Sequence, residues 1–237
     1  MKVGLYFGSF NPIHIGHMAI ANYMVEFTEM DQVWFVISPH NPFKKRKTLL
    51  ADHHRLALVE RALQGDDRFR ATDIEFRMPT PSYTIDTLTW LSEKHPNYRF
   101  EIIMGSDGLP TFSKWKNADE IRKNYKRYVY PRPGFPAGPA GSAVNAGSGL
   151  TAGSTMPDDS MVPDDSTVPD DSTMPAGSTV PDSSARFDAE ENLEVVNAPL
   201  IEISSSFIRK SIAKGKDMRH FLPPAVWQYV DEMNFYR

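Results

Sequence analysis

Apolar positions along the chain follow two rhythms, short continuous runs and stretches spaced three and four apart, and the two alternate. Val3, Leu5 and Phe7 belong to a run that stops at Gly8, and Met18, Ile20, Ala21, Met24 and Val25 repeat with helical spacing just after Gly16. The first unit is therefore strand, turn, helix. Residues 33–38 (VWFVIS) form the continuous apolar run expected of a parallel strand covered on both faces. Asp52 is the expected cap of a helix carrying Leu56, Ala57, Val59 and Leu63 and ending at Gly65. Residues 69–76 predict a strand, and the residues from Thr84 a helix with Ile85, Leu88 and Leu91 on one side. Residues 100–107 predict a strand ending in Gly105 and Asp107; 117–125 a helix; 128–130 a strand. After a long break, 193–196 reads as a short strand, and 200–203 is again apolar. Ser204 opens a helix reaching Ala213 or Lys214, with Gly215 as its cap. Residues 224–232 form a last helix, whose aromatic tail is expected to pack on the domain. Alternating strands and helices predict an α/β protein with a doubly wound parallel sheet and helices on both faces.

The turn between the first strand and helix carries the first chemistry. Gly8 lets the backbone approach a ligand closely, and the free N–H groups at the start of the helix suit an anion. His14 and His17 stand three apart, so on a helix they share one face and can both donate to a phosphate oxygen gaining charge. Zinc is a poor fit, because helical zinc hydrolases space their histidines four apart around a Glu and no Cys completes a site. The second strand ends in a loop, residues 39–47 (PHNPFKKRK), with four consecutive cations. A solvated charged loop would look the same. Its place at the carboxyl end of a strand favours a phosphate-facing role, with Lys44 the first candidate.

Two further clusters invite an anion or a nucleotide. Asp107 ends a strand where a carboxylate can accept from ribose hydroxyls, and Trp115, flanked by Lys114 and Lys116, offers a ring for stacking. Arg209 follows Ser206 by three in the helix opened by Ser204. Helical side chains lean toward the N-terminus, so its guanidinium can join the serine hydroxyls and free N–H groups around one anion.

Composition changes this picture in two places. The chain has 237 residues, no Cys and a net charge of −4, which excludes disulfides, thiolate nucleophiles and Cys-ligated metal. Residues 134–187 alone carry seven acids and one base, leaving the remainder with 25 bases and 23 acids. That balance suits a polyphosphate substrate and is too weak for a nucleic-acid binder. From Thr155 five six-residue units recur, TMPDDS, MVPDDS, TVPDDS, TMPAGS and TVPDSS. A β-helix would need a recurring buried aliphatic, whereas these units centre on Pro and Asp. Residues 135–184 thus read as a low-complexity, disordered insertion with no catalytic role, whose removal is expected to change activity little. Residues 1–134 and 185–237 make a single domain. Without a signal sequence or a membrane-length apolar run, the expected location is the cytoplasm. The oligomeric state, a homo-oligomer included, stays open.

The segment GSFNPIHIGH (8–17) resembles the HxGH signature of the nucleotidylyltransferase superfamily, and ISSSFIR (203–209) resembles its second signature, ISxTxIR, with Ser206 in place of Thr. Within that superfamily the chain is most similar to the bacterial nicotinate-nucleotide adenylyltransferase family, which also has a Pro-Ser-Tyr-Thr element (81–84), Gly-x-Asp (105–107), an aromatic at 115 and Arg-Pro-Gly (132–134). The resemblance implies a Rossmann-like fold and transfer of the adenylyl group of ATP to nicotinate mononucleotide, in NAD biosynthesis. It implies catalytic roles for His14, His17 and Arg209, and ATP contacts from Gly8, Ser9, Phe10, Lys44, Gly105, Asp107, Ser204 and Ser206. Tyr83, Thr84, Trp115 and Arg132 would bind the mononucleotide. Mg²⁺ would ride on the ATP oxygens, since no carboxylate cluster suggests a metal site of the protein's own. The chain departs from the family pattern at Phe7, Ser9 and Asn11, where Gly, Thr and Asp are common. The alternatives are a sister enzyme acting on phosphopantetheine or nicotinamide mononucleotide, and a non-catalytic nucleotide sensor. A class I tRNA synthetase, with its similar His pair, is disfavoured because no anticodon domain or basic surface is visible.

Overall fold

In a computed structural model, residues 1–39, 49–135 and 192–237 are described. The elements in chain order are β1 (Lys2–Gly8), α1 (Ile15–Phe27), β2 (Gln32–Ile37), α2 (Asp52–Leu63), β3 (Phe69–Thr72), α3 (Thr84–Lys94), β4 (Arg99–Gly105), α4 (Ala118–Asn124), β5 (Arg127–Tyr130), β6 (Leu193–Val195), α5 (Ser205–Ile212) and α6 (Pro224–Glu232). The strands make one sheet in the order β3-β2-β1-β4-β5-β6, and every neighbouring pair is parallel. This is the α/β architecture expected from the alternating pattern. The order reverses between β1 and β4, and the crevice outside the carboxyl ends of such strands is where open sheets bind ligands.

Side chains alternate across the sheet, and the two faces carry separate cores. Val33, Phe35 and Ile37 of β2, Ile103 of β4 and Tyr128 of β5 pack with Ile20 and Met24 of α1, Leu58 of α2, Ile208 of α5 and Val226 of α6. Trp34 and Val36, with Leu5, Ile102 and Val129, pack on the opposite face against Leu88 of α3 and Ile121 of α4. Apolar side chains on both faces explain why β2 is a continuous run instead of an alternating one. No helix among the described residues is long and apolar enough to cross a membrane.

Several boundaries differ from those expected. Asp52 is the first residue of α2, with Ala51 as the cap, and its carboxylate accepts from Arg55 Nη2 at 2.6 Å. Residues 73–76 do not continue β3; a 3₁₀ turn spans Ile74–Arg77. Glu75 is turned inward to accept from Ser82 Oγ and Thr87 Oγ1, each at 2.9 Å. Ser106–Lys114 is likewise 3₁₀, and residues 200–203 have no strand pairing. The cationic loop with Lys44 lies outside the described residues, as does the acidic insertion apart from Phe135.

Candidate active site

The carboxyl end of β1 leads through an irregular turn into α1, and His14 caps that helix in an extended conformation. Its N–H donates to His17 Nδ1 at 3.2 Å, and its carbonyl accepts from the N–H of His17 at 2.9 Å. These bonds fold the imidazoles together, and the rings stack at 3.7 Å between centroids and 29° between planes. Because His17 Nδ1 is an acceptor, the proton of its neutral ring sits on Nε2, the nitrogen available to donate to a ligand. Gly16 makes the stack possible: a Cβ there would lie 3.0 Å from His14 Nδ1 and 3.1 Å from Ile201 Cγ2.

Both rings are held neutral. Burial, with a smaller contribution from the Arg132 guanidinium, lowers His14 to about 3. Burial also lowers His17 well below its usual value, aided by His14 and Arg132. Arg132 therefore belongs to the surroundings of the pair, and a small cavity of about 10 Å³ is lined by His14, His17, Tyr6, Tyr130, Arg132 and Ile201, among others. Arg132 is placed from the β4 side of the crevice. Its N–H donates to Ser106 Oγ at 2.8 Å, and its Nε lies 3.7 Å from Asp107 Oδ1. At Gly105 a Cβ would fall 2.3 Å from that carboxylate oxygen and 2.9 Å from Arg132 Cγ, so only glycine leaves room for the pair.

The second signature reaches the same turn from α5. Ser204 caps the helix by accepting from the Phe207 N–H at 3.1 Å. Ser205 Oγ donates to the carbonyl of Pro12 at 2.8 Å. Arg209 donates from Nη1 to the carbonyl of Asn11 at 2.7 Å and from Nη2 to Ser206 Oγ at 3.2 Å. Two helix beginnings distant in sequence thus meet on one turn. Arg209 is not among the residues lining the small cavity beside the histidines.

Gly8 and Phe10 act differently from what the sequence suggests. Phe10 has φ of 45°, and its ring is buried, 5.1 Å from the ring of His17 and 5.4 Å from that of Phe35. A Cβ on Gly8 would meet this ring at 2.9 Å. The space beside Gly8 is filled by Phe10, so the glycine serves packing under the histidines, and the Phe10 ring is taken up by that packing. Tyr83 and Trp115 take part in separate sets of contacts. Lys116 Nζ sits 4.7 Å over the Tyr83 ring and pairs with Asp86 at 3.0 Å, while Trp115 packs on Phe112 at 5.3 Å. Thr84 opens α3 next to Tyr83. Among the described residues no hydrogen bond, ion pair or ring contact joins these residues to the histidines.

The cytidylyltransferase-like family profile matches residues 5–211. Over 237 residues, and over the full length of both proteins, the chain is 40% identical to a Flavobacterium johnsoniae protein named "Probable nicotinate-nucleotide adenylyltransferase". A Bacteroides fragilis protein of the same name is 40% identical over 97% of this chain and 90% of its own length. The chain belongs to the cytidylyltransferase-like family, among its nicotinate-nucleotide adenylyltransferases. The fold agrees with that of a solved structure, Plasmodium falciparum nicotinic acid mononucleotide adenylyltransferase complexed with NaAD, at a TM-score of 0.66 and 18% identity, covering 99% of this chain and 97% of the other. The same Plasmodium protein complexed with APC gives a TM-score of 0.65 at 18% identity, over 99% and 96%.

In this nicotinate-nucleotide adenylyltransferase family member, three residues make tertiary bonds that the sequence does not show. Arg55, fully buried, donates from Nη1 to the carbonyls of Ser9 and Ser38, both at 2.7 Å, and from Nε to that of Leu50 at 3.2 Å. It ties the ends of β1 and β2 together. Glu75 ties the Pro-Ser-Tyr-Thr element to α3, and burial raises its pKa against the opposing hydrogen bonds of Thr87 and Ser82. Tyr236 Oη donates to Asn11 Oδ1 at 2.9 Å. Arg55 sits on an ordinary amphipathic helix with loop carbonyls as partners, Glu75 meets the hydroxyls of Ser82 and Thr87, and Tyr236 meets a side chain 225 residues away, so no local signal marks these bonds.

Proposed function

We propose that this protein transfers the adenylyl group of ATP to nicotinate mononucleotide, releasing pyrophosphate and nicotinate adenine dinucleotide. The observation that carries the proposal is the stacked His14 and His17 pair on a turn that Arg209 grips from the second signature, in a chain 40% identical along its whole length to a relative of that name. The 5′-phosphate oxygen of the mononucleotide attacks the α-phosphorus of ATP in line. One P–O bond forms, the bond to the β-phosphate breaks, and its electron pair leaves with pyrophosphate. No protein nucleophile is required, so catalysis consists of positioning two anions and stabilising the charge that gathers between them.

His17 Nε2–H and His14 donate to the α- and β-phosphate oxygens. Burial sets the low pKa of the pair; a bound triphosphate favours the imidazolium form of His14, while His17, whose Nδ1 accepts from the His14 N–H, donates from Nε2 as a neutral ring. Arg209, Ser204 and Ser206 hold the leaving pyrophosphate, with Lys44 assisting from the loop after β2. Gly8, Ser9 and the Phe10 backbone cradle the phosphates, and Gly105 with Asp107 accepts the ribose. Arg132, beside the histidines, holds the acceptor next to the α-phosphorus, and Tyr83, Thr84 and Trp115 receive its pyridine ring. ATP enters as its Mg²⁺ complex, the ion being part of the substrate; among the described residues no three His, Cys, Asp or Glu side chains gather to hold a metal.

The deciding experiment measures pyrophosphate release with ATP and, in parallel, nicotinate mononucleotide, nicotinamide mononucleotide and phosphopantetheine. The expected result is a kcat/KM for nicotinate mononucleotide about tenfold or more above the others, the discrimination available from one well-placed polar contact. Equal or higher efficiency with either rival acceptor would overturn the assignment, and ATP binding without turnover would leave a nucleotide sensor.

A further inference from the structure

We propose that Tyr236 is a positioning residue, setting the His14 and His17 turn through Asn11. The inference rests on the reading of that turn as the triphosphate site. Residues 9–13 have no helix or strand pairing of their own, so side chains from elsewhere must hold their backbone. Arg55 holds Ser9, Arg209 holds Asn11 and Ser205 holds Pro12, all through carbonyl oxygens. The side chain of Asn11, 2% exposed, is held separately: its Oδ1 accepts from Tyr236 Oη at 2.9 Å and from the Leu50 N–H at 3.3 Å.

The tail that brings Tyr236 there is built for the purpose. Asn234 and Tyr236 take φ of 52° and 66°, left-handed values that turn the chain back after α6. Between them the Phe235 N–H donates to the Val230 carbonyl at 3.0 Å. The Phe235 ring packs edge-on against His54 at 4.8 Å and Tyr229 at 5.6 Å. With Phe235 anchored, the Tyr236 phenol reaches the signature turn 225 residues away in sequence. Burial raises its pKa well above the usual value, so it remains a donor at neutral pH. Asn11 lies three residues before His14, and donors to a phosphate must be placed to a fraction of an ångström. Losing the Tyr236 bond leaves the Asn11 side chain less firmly held, and with it the backbone from which His14 and His17 are hung.

The test is Tyr236→Phe, which removes one oxygen and keeps the ring. Steady-state pyrophosphate release and titration with a non-hydrolysable ATP analogue are measured, together with thermal unfolding. We expect kcat/KM for ATP and the analogue affinity to fall about three- to tenfold, the worth of one hydrogen bond. KM for the mononucleotide should stay within about twofold and the melting temperature within a few degrees. In an Asn11→Ala background Tyr236→Phe should cost nothing further, whereas Asn11→Asp, which keeps the acceptor, should keep the dependence. Wild-type ATP kinetics and affinity in Tyr236→Phe would overturn the proposal, as would an undiminished loss in the Asn11→Ala background. A loss explained by unfolding would also overturn it. If the wild-type protein fails to use nicotinate mononucleotide, the proposed function falls, while the analogue titration still reads the role of Tyr236.

Discussion

The Nη1 of Arg209 lies 2.7 Å from the carbonyl oxygen of Asn11, joining residues 198 apart in sequence. That bond makes the two signature segments one structural object. Burial lowers the Arg209 pKa from its usual value, but an arginine remains a cation at any working pH. A fixed positive charge is therefore held against the turn that carries the histidines.

Replacing His17 by Ala removes the Nε2–H donor and the partner on which His14 stacks. Turnover should fall about 10²–10³-fold, the usual loss for one transition-state donor, while ATP binding stays measurable. Pyrophosphate release beside analogue titration checks this, and activity near that of the parent would reject the role of His17.

The low pKa of His14 makes stability depend on pH. In the unfolded chain the imidazole titrates near 6.5, whereas folded it titrates at about 3. Between these values the unfolded state binds the extra proton, so stability is complete above pH 6.5 and falls as pH drops toward 3. At pH 5 His14 alone should cost about 2 kcal/mol. Urea unfolding at pH 7.5 and pH 5.0 measures the difference, and His14→Asn should remove this share of it while that of His17, lowered by the same burial, remains. Binding of an ATP analogue near neutral pH should take up protons, visible as a dependence of calorimetric heat on buffer ionisation.

Gly16→Ala tests the stack without removing a polar group. The new Cβ would press His14 Nδ1 and Ile201 Cγ2 at 3.0 and 3.1 Å, so the ring must move by a few tenths of an ångström. Because misplacement of this order disturbs positioning more than folding, kcat should drop about tenfold with little change in melting temperature. An unaltered kcat would show that the spacing of the rings is immaterial.

Arg55→Met removes a buried guanidinium and leaves the carbonyls of Ser9, Ser38 and Leu50 without their donor. The expected cost is about 3–5 kcal/mol, in the range for breaking a buried charged network. Thermal and urea unfolding report it directly. Arg55→Lys should recover only part, since an ammonium cannot span the same acceptors.

The order of strands and helices was legible in the spacing of apolar residues, because that pattern mirrors which face is buried. The glycine after α2 was legible too: Gly65 follows the cap residue Gln64 and takes φ of +87°, which disfavours other residues, whereas α5 stops earlier than expected, at Ile212 with Ala213 as its cap, and Gly215, at φ of +71°, lies beyond it. The candidate site was visible as two signatures and several single residues. What the sequence could not reveal was which of these meet. Arg132 stands beside the histidines whereas Tyr83 meets Lys116 and Trp115 packs on Phe112, and nothing in their spacing separates the cases.

Taken alone, the sequence determined the α/β class, the two signature turns and the chemistry they can support, since local backbone preference and apolar periodicity act within a few residues. The tertiary structure alone decided that Phe10 fills the space beside Gly8, that Arg55 closes the ends of β1 and β2, and that Glu75 bends the chain out of β3. It also decided that Tyr236 reaches Asn11. In each case a buried polar group or ring must find partners wherever the folded chain supplies them, and those partners are set by packing across the whole domain rather than by neighbours in sequence.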